Sequence, residues 1–147
     1  MSAAPTPPRG PAARWLTGSI ADIPTPFDAT GAVDIAALAR LCERQIEAGA
    51  SAILVCETAG EASTLTAAER EAVIRAAVTA ACNRVRVIAG AGSNATLQAV
   101  QNTRQAAAAG ADAIMSVVPY LQPAYGRGHL RALPRGRRLN HTAGHPA

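Results

Sequence analysis

The stretch Glu57-Thr58-Ala59-Gly60-Glu61 sets a hydroxyl and two carboxyl groups around a glycine turn, directly after the apolar run Ala52–Cys56. At a strand end, such a threonine can bind a carboxylate with its hydroxyl and backbone N–H, or relay a proton. The plainer reading makes Thr58 and Glu61 polar groups that satisfy a turn, and the stretch taken alone favours it. A second stretch, Ile88 to Asn94 (IAGAGSN), could cradle phosphate on backbone N–H groups. It is neither GxGxxG nor a P-loop, since no lysine follows, and a tight turn capped by Ser93 or Asn94 is the better account. The chain has no lysine at all, because its fourteen Lys and Arg residues are all arginine. Cys42, Cys56 and Cys82 follow no metal-ligand or redox spacing, and Cys42 and Cys56 are expected as buried reduced thiols.

These stretches need a scaffold, and the pattern between Trp15 and Tyr120 supplies one. GSIADIPTPF is an apolar run leading through a turn at Asp28–Gly31 into VDIAALARLCERQIEAG. There Ile35, Leu38, Leu41, Cys42 and Ile46 recur at helical spacing, and Gly49 is placed to end the helix. ASAILVCETAGEAST is the second strand and its loop. TAAEREAVIRAAVTAA is the second helix, with Thr66 as N-cap and Glu69 at the capping-box position. RVRVIAGAG reads as strand three, ATLQAVQNTRQAAAAG as a helix closing at Gly110, and ADAIMSVVPY as strand four. The order βαβαβαβ implies right-handed crossovers and a parallel sheet, either doubly wound or part of a (β/α)₈ barrel. Both architectures put active-site groups on loops at the carboxyl ends of the strands. Those loops are TPF, ETAGE, GAGSN and PYLQP.

Composition bounds the rest. A chain of 147 residues fits one domain, and its aliphatic, aromatic-poor make-up suits helices on a sheet. No apolar run could span a bilayer. Residues 1–14, with four prolines and no acid, are expected as a disordered leader, and the protein as cytoplasmic. A transit peptide stays open as the alternative. The net charge of +4 is not spread evenly. Residues 1–123 hold nine arginines against ten acids, whereas residues 124–147 hold five arginines, three histidines and no acid.

Four loops in register resemble those of the dihydrodipicolinate synthase/N-acetylneuraminate lyase family of pyruvate-dependent class I aldolases. The residues that carry the resemblance are Thr25–Phe27 (TPF), Glu57–Thr66 (ETAGEASTLT), Val87–Thr96 (VIAGAGSNAT) and Val117–Pro123 (VVPYLQP). ETAGE matches the family's G-[ST]-T-G-E signature in modified form. The resemblance covers residues 15–123 and implies the α/β N-terminal half of a (β/α)₈ barrel, about four βα units. It implies pyruvate held as a Schiff base on a sixth-strand lysine and added to, or released from, a small aldehyde or imine. It implies no metal or diffusible cofactor, and an assembly as a dimer or tetramer. By the same resemblance Thr58 joins the proton relay. Ala59 stands where many members have a second threonine, which leaves the pyruvate carboxylate to backbone N–H groups. Gly60 and Glu61 match the turn, and Tyr120 matches the first tyrosine of the Pro-Tyr-Tyr segment. The second tyrosine of that segment is Leu121 here. The family's strand-five tyrosine, the arginine after it and the lysine have no counterpart.

The basic segment 124–147 continues neither pattern, and it is expected to be irregular. Read from the second base of the Asn140 codon, the codons for Asn140–Pro146 allow Thr-Ile-Leu-Arg-Asp-Ile-Pro, close to the family's strand five. We read the segment as out-of-frame sequence from GC-rich DNA. A nucleic-acid-binding tail is the rival, weakened by the absence of interleaved aromatics. A half-barrel that pairs with another subunit is a further alternative. The resemblance predicts synthesis of 4-hydroxy-tetrahydrodipicolinate from pyruvate and aspartate semialdehyde, with a sugar-acid aldolase or dehydratase as runner-up. Without a lysine, this chain alone is expected to be inactive.

Overall fold

The computed structural model describes residues 16–117. The leader at 1–14, Tyr120 and the basic segment 124–147 lie outside the described residues. Among the described residues seven elements alternate in chain order: β1 (Ile20–Asp22), α1 (Ile35–Glu47), β2 (Ala52–Val55), α2 (Ala67–Ala81), β3 (Arg86–Gly90), α3 (Thr96–Ala108) and β4 (Ala113–Met115). The strands form one parallel sheet in the order β1-β2-β3-β4. Register runs Ile20↔Ala52↔Arg86 and Ile88↔Ala113, so each strand is added beside the last by one helical crossover.

Local chemistry sets the helix limits. Asp34 caps α1 by accepting the Ala37 N–H at 2.8 Å, and Gly49, at φ 89°, turns the chain away after its end. Thr66 and Glu69 close a reciprocal capping box on α2, as their spacing predicts. The left-handed Cys82 ends that helix. α3 differs from expectation. Its N-cap is Ala95, with no side-chain cap, and Ser93 instead holds the preceding turn by accepting the Ala95 N–H at 3.2 Å.

The two faces of the sheet are unlike. The helix-covered face carries the main core, in which Leu38 and Cys42 of α1 and Val73, Ile74, Ala77 and Ala81 of α2 meet Ile23, Ile53, Val55, Val87 and Ala89. Small residues along α2 let that helix lie close to β2 and β3. The other face gathers Ala52, Leu54, Ile88 and Ala113, with Leu16 and Met115 against them. No helix packs there among the described residues. β2 is buried on both faces, which is why it reads as a continuous apolar run rather than an alternating one. Asp112 fastens the start of β3 to β4, since one oxygen accepts the Val87 N–H at 2.9 Å and the other pairs with Arg86 at 2.6 Å. No helix among the described residues is long and apolar enough to cross a membrane.

Candidate active site at the carboxyl ends of the strands

The loop after β2 is shaped by its own backbone before any side chain acts. Cys56 and Glu61 both adopt left-handed φ, 54° and 51°, conformations that cost a non-glycine residue about 1–3 kcal/mol each. Strain at two positions of one loop has to be held by the surroundings. Within the loop, the Glu61 N–H donates to the Thr58 carbonyl at 3.2 Å, and the Ala62 N–H to the Glu57 carbonyl at 3.3 Å. Across it, the buried Thr25 hydroxyl donates to the Gly60 carbonyl at 2.8 Å and ties the TPF loop to the ETAGE loop. The Ala59 N–H donates to Asp22 Oδ2 at 3.3 Å, a second tie to the end of β1.

Two glycines make this closeness achievable. A Cβ on Gly60 would stand 2.9 Å from the Cys56 nitrogen. A Cβ on Gly90 would stand 2.0 Å from the Cys56 carbonyl oxygen and 2.5 Å from Glu57 Oε2. Gly90 therefore leaves the room into which the turn after β2 and the Glu57 carboxyl settle.

Arg70 fixes the loop from beneath. It lies on α2 at 5% exposure, and its Nη2 donates to the Gly90 carbonyl at 2.6 Å and its Nη1 to the Ala62 carbonyl at 3.3 Å. Its Nε is buried with no acceptor among the described residues. One guanidinium thus joins the end of β3 to the far side of the β2–α2 loop. The same charge draws the Glu57 pKa down, but burial of that carboxyl, helped by Asp22, outweighs it and leaves Glu57 above the ordinary glutamate range. Burial likewise pushes the Cys56 thiol up to about 11, and the Cys42 thiol to about 11. Both are buried, as expected, and neither is a nucleophile at neutral pH.

A cavity of about 880 Å³ opens here, between the β2–α2 loop, α2 and the amino end of α3. Glu57, Thr58, Glu61, Arg70, Ser93 and Asn102 are among its lining residues. The structure brings Thr58, Ala59, Gly60 and Glu61 together on one turn, with Thr58, Ala59 and Glu61 exposed and Gly60 buried. Their proposed partner Tyr120 lies outside the described residues. No group of three or more His, Cys, Asp or Glu side chains among the described residues could hold a metal ion.

Sequence reasoning passed over Asp22, Glu57 and Arg70 as site residues. The signal for Arg70 was present: Arg70, Val73, Ile74 and Ala77 share the i, i+3, i+4, i+7 face that the core covers. Asp22 alternates with the apolar Ala21 and Ile23 and so had to face away from them. Glu57 stands where the signature G-[ST]-T-G-E has its first glycine.

Comparison with known proteins agrees with this geometry. The model of the dihydrodipicolinate synthetase family matches residues 15–131. A 4-hydroxy-tetrahydrodipicolinate synthase of Anaeromyxobacter sp. (strain Fw109-5) is 52% identical over 105 residues, 71% of this chain and 35% of the relative. The crystal structure of dihydrodipicolinate synthase from Aquifex aeolicus superimposes with a TM-score of 0.67 at 50% identity, covering 70% of this chain and 35% of that one. The chloride-inhibited synthase from Acinetobacter baumannii complexed with pyruvate gives 0.68 at 43% identity, with the same coverage. The chain spans about a third of the length of the curated relatives it matches. Its parallel βα units, its signature loop and these relatives agree, and the chain belongs to the dihydrodipicolinate synthetase family.

Proposed function

We propose that these residues form the first four βα units of a pyruvate-dependent lyase of the 4-hydroxy-tetrahydrodipicolinate synthase type. In the full reaction pyruvate condenses with aspartate semialdehyde. Among the present residues, Thr58 offers a hydroxyl for the proton relay and Ala59 a backbone N–H for the pyruvate carboxylate. Gly60 and Glu61 hold the turn that presents them, and Tyr120 is the second member of the relay. The observation that carries this reading is the Thr25–Gly60 bond, which presents the Thr58–Ala59 turn at the carboxyl end of the sheet. The names of the relatives and the pyruvate complex of the Acinetobacter baumannii enzyme support it. A sugar-acid aldolase or dehydratase is the second reading, favoured by Ala59 and Leu121 at positions where the synthase pattern has threonine and tyrosine.

The amine is the missing part. These 147 residues contain no lysine, so no Schiff base forms on their side chains and the chain alone is inactive. We read segment 124–147 as out of frame, and place the protein in the cytoplasm, with self-association following the family habit. Two experiments test the reading. Treatment of the chain with pyruvate and borohydride is expected to leave its mass unchanged, and a pyruvate-sized adduct would refute the claim of inactivity. Sequencing of the gene across codon 120 and onward is expected to reveal an offset frame carrying a lysine codon in a strand-like context. A confirmed frame with no such continuation would sink the proposed parentage of the segment.

A further inference from the structure

The helix-free face of the sheet carries two carboxyl groups at its catalytic end. Ala21 and Ile23 pack into the helix-covered core, so Asp22 between them faces the other way. Ile88 packs with Leu54 on that same helix-free face, and Gly90, two residues on, shares its side. The close approach of Glu57 Oε2 to the Cβ position of Gly90, 2.5 Å, therefore places the Glu57 carboxyl over this face as well. Asp22 does more than sit nearby. Its Oδ2 already accepts the Ala59 N–H at 3.3 Å, the donor that the reading above gives to the pyruvate carboxylate.

We propose that Asp22 and Glu57 are specificity-determining residues, which couple binding of a 2-oxo acid at the Thr58–Ala59 turn to uptake of one proton by this carboxyl pair. The inference rests on the pyruvate reading and deepens it. A ligand carboxylate must take the Ala59 N–H from Asp22 and bring a third negative charge beside two. Protonation of the pair removes one of those charges and supplies an O–H that donates to the incoming carboxylate. The surroundings favour Glu57 as the proton's resting place. Burial and Asp22 raise its affinity for a proton, against the pull of Arg70 from α2. Glu61 is the remaining carboxyl of the loop. The β3–α3 loop, Ala91 to Ala95, presents no charged side chain. A neutral or cationic ligand pays no such proton, and the pair therefore discriminates against anionic ligands as pH rises.

The sign follows from linkage. An anion that binds beside the pair raises the proton affinity of Glu57, so affinity is greatest at low pH. It falls by up to about tenfold per pH unit above the free-state pKa, then levels once the bound form also loses its proton. The test uses the 147-residue protein and sodium pyruvate, which stays anionic throughout; NMR titrations from mildly acid to mildly alkaline pH follow the shift of the Ala59 amide in both proteins and that of the Glu57 carboxyl carbon in the native chain. The expected result is pH-dependent pyruvate binding in the native chain and tighter, pH-independent binding in the double variant Asp22→Asn/Glu57→Gln. Both substitutions are near-isosteric at exposed or half-buried positions, and unchanged amide dispersion will report retained folding. Pyruvate binding whose pH dependence survives in the double variant, or is absent from the native chain, overturns the proton coupling and leaves the pyruvate reading intact. No pyruvate shift in either protein at any pH overturns the pyruvate reading itself, and the coupling with it.

Discussion

Gly90→Ala is the sharpest test of how the loop after β2 is held. By backbone conformation alone the change is benign or favourable, since Gly90 does not occupy the left-handed region and alanine restricts the unfolded chain by about 0.4–1 kcal/mol. Space reverses that sign. The new methyl would lie 2.0 Å from the Cys56 carbonyl oxygen, 2.7 Å from its carbon and 2.5 Å from Glu57 Oε2. An ordinary C···O contact is about 3.3 Å, so the β2 turn must retreat by about 1.3 Å. Backbone is in the way, not the end of a flexible side chain. The turn cannot retreat freely either, because Val55↔Ala89 pairing, the Thr25–Gly60 bond and the Arg70 bridge hold it. Overpacking of this kind costs about 3 kcal/mol, which for a domain of this size lowers Tm by about 12 °C or more. Gly31→Ala is the control. Gly31 has nothing within 4 Å of its Cβ position but a φ of 84°, so only the left-handed penalty, about 1–2 kcal/mol, applies. Urea and thermal unfolding followed by far-ultraviolet circular dichroism give both values. A Gly90→Ala cost no larger than that of Gly31→Ala would refute the reasoning that close approach dictates this glycine.

Two further substitutions probe the supports of the site. Arg70→Met keeps the apolar stem but leaves the Gly90 carbonyl unpaired, and unfolding titrations should show a loss of about 2–4 kcal/mol. The same variant removes the cation that draws Glu57 down, so a carboxyl-carbon titration should find the Glu57 pKa higher than in the native chain, not lower. Thr66→Ala deletes one half of an exposed capping box and should cost about 1 kcal/mol in the same unfolding assay while leaving the Glu57 titration unmoved.

Repetition made most of the fold legible. Helical spacing in residues 35–46, the capping box at Thr66 and the glycines at 49 and 110 are signals that each element carries in its own segment, and each element formed where its signal stood. Alternation of strand and helix then left a parallel sheet as the connection compatible with short crossovers. The turn Glu57–Glu61 was legible for the same reason, as five adjacent residues between a strand and a helix. The expected cap of α3 failed because Ser93 and Asn94 both fit the local pattern, and the choice between them and Ala95 depends on where the chain leaves β3.

What sequence by itself determined is therefore everything local: the elements, their order, the lack of lysine among these 147 residues, and the candidate turn. Only the tertiary structure decided which distant groups meet at that turn. Thr25 reaches Gly60 across 35 positions, Arg70 reaches Gly90 across 20, and Asp22 reaches Ala59 across 37. Those distances in sequence carry no periodic signal, because a hydrogen bond between loops depends on the register of neighbouring strands rather than on spacing along one of them. The balance of charges at Glu57 arises in the same way, from burial and from two side chains, Asp22 of β1 and Arg70 of α2, that the packing of strand and helix brings to its side.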